Sequence, residues 1–184
     1  MRIITGKARG TRLETLEGEE ITRPTSEAVK EAVFSMIQFE IEGHNVLDLF
    51  AGSGQLALES VSRGARSALL VDSSRAAADI IRKNIEKTKC TSECRVLNTD
   101  YKAAIRTITG KEKFGIVFLD PPYGSDMLKD ALDRILRAGI VLDNGYIVCE
   151  SSSPEPVSAE GTTLKRFAKY GRKYVTLLVK NCEE

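Results

Sequence analysis

Asp120-Pro121-Pro122-Tyr123 is the run whose residue types say most about chemistry. An exocyclic amino group on a nucleobase is a poor nucleophile, because its lone pair is delocalised into the ring. Asp120 can accept one N–H of such an amine and the Pro121 carbonyl can accept the other. Both bonds together leave the lone pair facing an electrophile. Two successive prolines have no N–H to donate and stiffen the turn, so the carbonyl is held in place. Tyr123 offers a ring on which an unstacked base can rest. The bland alternative is a Pro-Pro turn that ends a strand, with Tyr123 in packing; the glycine loop upstream weighs against it.

That loop, Gly52-Ser53-Gly54-Gln55-Leu56-Ala57, fits G-x-G-x-x-A between an apolar run and a helical stretch. Its glycines let a ligand approach the backbone closely at a helix N-terminus. Asp72 follows Gly54 by eighteen residues, at the end of a second apolar run, where an acid can accept both ribose hydroxyls. The spacing suits a nicotinamide dinucleotide or S-adenosylmethionine, and a glycine turn with no ligand also produces it. Asp48 separates these readings. A carboxylate beside the loop is a poor neighbour for a pyrophosphate and a good partner for the ammonium of a methionine moiety.

The elements that must position these groups alternate. Apolar runs at 46–50, 68–71, 95–98, 116–119 and 145–150 read as strands. Helical spacing follows the first at about 55–63, the second at 74–89 and the fourth at 125–137. Asn84 and the basic residues are expected on the wet face of the second of these helices. The residues from Thr163 to Tyr170 and from Lys173 to Lys180 read as a closing hairpin around Gly171. Strands alternating with helices predict an α/β fold, a doubly wound parallel sheet. Asp48, Asp72, Asp100 and Asp120 then fall at the carboxyl ends of successive strands, the edge where open α/β sheets bind ligands. Any one of them is an ordinary cap or turn residue. Four on one edge form a negative rim suited to a cationic or polyhydroxyl ligand.

Ahead of the sheet, residues 2–13 read as a short hairpin with Gly6 and Gly10 as turn residues, and 14–22 as an acidic loop. Arg23-Pro24-Thr25-Ser26 opens a helix, with Ser26 as its N-cap and Glu27 in the first turn. The chain divides on this reading into a basic hairpin-and-helix extension, 1–42, and a main domain, 43–184.

Composition bounds the function. The chain has 184 residues with 27 Lys and Arg against 26 Asp and Glu, a net charge of +1, which excludes a globally basic nucleic-acid binder. The charge is uneven, however. Arg2, Lys7, Arg9 and Arg12 share the first twelve residues with no acid, and Lys165, Arg166, Lys169, Arg172 and Lys173 form a second acid-free cluster. Two basic ends on a neutral body suit a polyanion, although such runs are usually solvated faces. Four scattered cysteines and the single His44 offer neither a zinc site nor a disulfide framework, so no metal is expected and a reduced, cytoplasmic setting is. No apolar run approaches the roughly 20 residues that span a bilayer, so no membrane partner is expected.

Asp48-Leu49-Phe50-Ala51-Gly52-Ser53-Gly54 with Asp120-Pro121-Pro122-Tyr123 resembles class I S-adenosylmethionine-dependent methyltransferases that act on exocyclic amines. Three further segments bring the resemblance to the RsmD family: Arg2-Ile3-Ile4-Thr5-Gly6-Lys7-Ala8-Arg9-Gly10, Arg23-Pro24-Thr25-Ser26 with Glu31-Ala32-Val33-Phe34, and Ser62-Arg63-Gly64-Ala65. It runs nearly end to end and is weakest after residue 150. Ala57 stands where the family usually has glycine, and Asp72 where it often has glutamate.

The resemblance implies a seven-stranded Rossmann-like sheet with the last strand antiparallel. It implies methylation of the exocyclic N2 of one guanine in small-subunit (16S) ribosomal RNA, free or within an assembled particle. S-adenosylmethionine would be held by Asp48, Phe50, Ala51, Gly52, Ser53, Gly54, Asp72, Ser73, Asp100 and Tyr101. The catalytic group would be Asp120, Pro121, Pro122 and Tyr123. Arg2, Lys7, Arg9, Arg12 and Arg23 are the expected RNA contacts, Arg23 less clearly because its segment can also line the cofactor pocket, and a monomer is expected. The rivals are an adenine-N6 DNA methyltransferase, which would need a recognition region this chain has no room for, a nicotinamide-dependent oxidoreductase, in which Asp-Pro-Pro-Tyr has no role, and a non-catalytic RNA-binding module, which would not need the acids.

Overall fold

The computed structural model describes residues 1–16, 24–122 and 126–182. Seven strands form one sheet: β1 (Asn45–Asp48), β2 (Ser67–Asp72), β3 (Cys94–Asn98), β4 (Phe114–Leu119), β5 (Val141–Ser151), β6 (Thr162–Tyr170) and β7 (Lys173–Lys180). Their order across the sheet is β3-β2-β1-β4-β5-β7-β6. The first five are parallel, and β7 runs antiparallel to both β5 and β6. The chain order reverses between β1 and β4, and ligands bind such sheets at that switch point.

Among the described residues five helices cover the faces: α1 (Pro24–Ile37), α2 (Gln55–Ser62), α3 (Arg75–Lys87), α4 (Tyr101–Ile108) and α5 (Met127–Arg137). The period of two along each strand divides the apolar side chains between two cores. Val46, Ile116 and Phe118 face the side where α1, α2, α3 and the N-terminal segment pack. Leu47, Val117 and Leu119 face α4 and α5 on the other side. Strands buried on both faces carry the near-continuous apolar runs seen in the sequence.

Several sequence expectations change here. Residues 2–13 fold back on themselves but form no strand pair. One isolated bridge joins Arg2 to Arg12, and Gly6 and Gly10 turn the chain at positive φ. Gly6 could not be replaced, since a Cβ there would sit 1.7 Å from the Ser62 carbonyl oxygen. α1 begins at Pro24, two residues before the expected cap at Ser26, because proline suits the first helical position, where no N–H is needed.

Asn84 is buried rather than on the wet face of α3. Its Nδ2 donates to the Ser53 and Glu14 carbonyls, and its Oδ1 accepts from the Glu14 N–H. It thereby ties the glycine loop to the N-terminal segment. The sequence gives no sign of α4 by period: eight residues with Lys102, Arg106 and one threonine, Thr107, form a short pattern. Its start is nevertheless marked by Asp100, whose carboxylate accepts from the Ala103 N–H as an N-cap.

Candidate functional site

The carboxyl edge of the sheet opens into a cavity of about 570 Å³. Its wall includes Asp48, Phe50, Ala51, Gly52, Ser53, Asp72, Ser73, Asp100, Tyr101, Asp120, Pro121 and Pro122, with Met1, Leu16 and Lys173 closing the rim. Apart from Gly54, which packs against the sheet, the residues expected to hold a cofactor therefore face the same space as Asp120, Pro121 and Pro122. Tyr123 and Arg23 lie outside the described residues.

Each part of the wall has a local cause. After β1 the chain turns through Gly52 and Gly54, with φ of 55° and 81°. Gly54 is the N-cap of α2 and packs against the sheet, since a Cβ there would meet Leu70 Cδ2 at 2.9 Å. A Cβ on Gly52 would meet nothing within 4 Å, so this glycine faces open cavity, the space a ligand needs. Asp72 braces the loop: its Oδ2 accepts from the Gly52 N–H at 2.9 Å and its Oδ1 from the Ser74 N–H at 2.8 Å. Each oxygen keeps a second lone pair for a ligand hydroxyl. Phe50 and Tyr101 pack ring to ring at 5.3 Å, and the Tyr101 hydroxyl is turned away, donating to Asp130 at 2.6 Å. Burial and that bond push the Tyr101 hydroxyl up to about 12, so it serves as a wall and not as a base.

Asp48 is 1% exposed, and its Oδ1 has no hydrogen-bond partner. Burial, then the charges of Asp120, Asp72 and Glu150, push its carboxyl up to about 8, against a backbone hydrogen bond at Phe50. A buried carboxylate oxygen left without a donor lacks a cation, and an ammonium group fits that need.

Asp120 leaves β4 beside Glu150, because β4 and β5 are paired at Leu119 and Cys149. Lys173, at the start of β7, reaches both: its Nζ lies 3.1 Å from Asp120 Oδ2 and 2.7 Å from Glu150 Oε2. Sequence reasoning read Lys173 only as part of a basic run and gave Glu150 no role. No local motif marks them, since the β5–β7 antiparallel pairing is what brings them to Asp120.

The RNA candidates stand apart from the cavity. Arg2, Lys7, Arg9 and Arg12 are exposed on the N-terminal segment, where Lys7 pairs with Glu93. Lys165, Arg166 and Lys169 are exposed on β6, the edge strand, where charge also blocks strand-to-strand pairing. Glu59 anchors the N-terminal segment. It accepts from the Ile4 and Thr5 N–H groups and pairs with Lys30 and Arg63.

The sheet order and the glycine loop at its switch point define a class I methyltransferase fold. A structure titled as a putative methyltransferase, yhhF from Escherichia coli, superimposes with a TM-score of 0.86 over 100% of this chain and 99% of that one, at 31% identity. A putative methylase from Haemophilus influenzae gives 0.80 over 98% of each chain, at 27% identity. The family described as Conserved hypothetical protein 95 matches residues 1–179, and the chain belongs to it: this is the RsmD family that the motifs resemble. A Bacillus subtilis relative named putative rRNA methyltransferase YlbH is 36% identical over 82% of each chain. The Haemophilus influenzae ribosomal RNA small subunit methyltransferase D is 32% identical over 89% of this chain and 86% of its own.

Proposed function

We propose that this chain is an S-adenosylmethionine-dependent methyltransferase that modifies the exocyclic N2 of a guanine in small-subunit ribosomal RNA. The observation that carries this reading is that Asp120-Pro121-Pro122 and Asp48, whose Oδ1 has no partner, share one cavity with the glycine loop. The names of the relatives support the RNA class.

The residues fit the cofactor. Asp48 would take its ammonium, Asp72 its ribose hydroxyls, and Phe50 with Tyr101 would flank the adenine. When bound, S-adenosylmethionine supplies an electrophilic methyl carbon whose bonding pair leaves with sulfur as the new N–C bond forms. Asp120 accepts one N–H of the guanine amine, and the Pro121 carbonyl accepts the other. The proton that nitrogen sheds on methylation passes to Asp120. Holding amine and methyl in line can contribute several kcal/mol of the barrier reduction. On this reading the basic hairpin of the 1–42 extension carries the RNA contacts, and the working form is a cytoplasmic monomer.

The test is transfer of tritiated methyl to unmodified naked ribosomal RNA, unmodified small subunits and DNA, followed by nucleoside analysis. N2-methylguanosine from an RNA substrate supports the reading. N6-methyladenine in DNA, or no transfer to any substrate, overturns it.

A further inference from the structure

We propose that Lys173, tethered by Glu150, is the positioning residue that keeps the Asp120 carboxylate aimed and charged for the amine. This rests on the amine-methylating reading of Asp120. Three strands bring these groups to adjacent places on the sheet edge: Asp120 follows β4, Glu150 ends β5 and Lys173 begins β7.

The groups facing Asp120 are Asp48 from β1, Glu150 from β5 and Lys173 from β7, while Asp72 at the end of β2 adds its charge to Asp48. Three of the four are acids. Asp120 must stay an acceptor to hold an N–H, and acids crowded at low dielectric favour protonation of one another. Lys173 opposes this directly, with contacts of 3.1 and 3.4 Å to the two Asp120 oxygens. Nearly buried Glu150 holds the ammonium at 2.7 Å, so the lysine is fixed on a second anchor rather than waving in solvent. Glu150 itself is pushed up to about 7, by burial first and then by Asp120, with Lys173 opposing. Glu150 thus gives the clamp a group whose titration can be followed.

The experiment measures kcat/KM against pH on the RNA substrate for the wild type, Lys173→Met, Lys173→Arg and Glu150→Gln, with cofactor affinity measured alongside. Lys173→Met removes the cation, so the acidic limb should move to higher pH by about one unit or more. At a pH below the midpoint of the wild-type limb, turnover should then fall about tenfold, and it should recover above the limb. Glu150→Gln removes a like charge, so the limb should move the opposite way. Lys173→Arg should leave the limb close to that of the wild type.

Carbon-13 titration of the Glu150 carboxyl in the free protein reads the same clamp without turnover, and Lys173→Met should raise it. A Lys173→Met profile that matches the wild type after scaling, with an unmoved Glu150 titration, overturns the inference. If Lys173→Met does not fold, a limb that moves to lower pH in Glu150→Gln and stays in place in Lys173→Arg supports the inference, and an unmoved or raised limb in Glu150→Gln overturns it. A wild type that methylates no RNA would instead sink the functional reading, and the carboxyl titration would still judge the clamp.

Discussion

The protein buries two acidic centres and treats them in opposite ways. Glu59, on α2, is wholly enclosed and fully satisfied. Two backbone N–H groups, the Lys30 ammonium and the Arg63 guanidinium converge on its two oxygens, and Lys30 also donates to the Arg2 carbonyl. On the sheet edge, Asp120 and Glu150 share Lys173, while Asp48 Oδ1 beside them has no partner. Burying charge is costly in both places. In the first the cost is met inside the fold, and the result is an anchor for the N-terminal segment. In the second the electrostatics are left incomplete, which a cationic ligand of the proposed kind would complete. An unsatisfied buried acid therefore marks the binding site more sharply than the presence of acids does.

The largest expected effect falls on the satisfied centre. Glu59→Ala leaves Lys30, 1% exposed, without its counterion. Burial already holds the Lys30 ammonium below its ordinary range, with Glu59 opposing. The variant should lose about 3–5 kcal/mol of stability, read by urea denaturation. Asp120→Ala should do the reverse: turnover falls at least about a hundredfold while folding and cofactor binding persist. Asp120→Asn should be milder, because its side-chain oxygen still accepts. If Glu59→Ala unfolded no more readily than Asp120→Ala, the contrast between the two centres would be wrong.

The sheet was legible because its inner strands are short apolar runs and the first four end at or just before an aspartate. The glycine loop and the Asp-Pro-Pro turn were legible for the same reason, being contiguous in sequence. What was hidden depends on pairing across distance. Lys173 looked like one charge in a basic stretch until β7 ran antiparallel to β5 and set it beside Asp120. Asn84 looked polar and therefore wet, although its amide and carbonyl satisfy three backbone groups on two other segments. α4 was too short for its period to show, and its Asp100 cap, read as a rim acid, was the one local sign of it.

Smaller effects sharpen the comparison. Asp72 both braces Gly52 and faces the cavity, so Asp72→Ala should weaken S-adenosylmethionine binding by about 1–3 kcal/mol, measured by calorimetry. Unchanged affinity would move the ribose away from β2. The segment anchored by Glu59 carries exposed charge. Replacing Lys7, Arg9 and Arg12 with Ala should leave cofactor binding intact and flatten the salt dependence of RNA binding by up to about three units of slope. Lys7 already pairs with Glu93, so its share of that change should be the least.

Asp48→Asn gives the smallest change and separates the two centres by sign. In the cofactor-free protein burial holds the Asp48 carboxyl near 8, far above the usual carboxylate range. A carboxyl raised on folding costs almost nothing below about pH 3, where it is protonated in folded and unfolded chains alike. The cost grows as pH rises, because the unfolded chain loses that proton first, and it levels off above about 8. Asparagine never ionises and escapes this cost, yet it remains a buried polar group to be satisfied. The variant should therefore melt a few degrees above the wild type at pH 8, at roughly 2–4 °C per kcal/mol for a domain this size, and the difference should shrink toward pH 4. The same substitution should weaken S-adenosylmethionine binding, because a neutral amide cannot balance an ammonium. Stability gained while affinity is lost is the signature of a site whose electrostatics a ligand completes. A variant that melted lower at pH 8, as removal of a satisfied acid would cause, would place Asp48 with Glu59 and end the distinction between them.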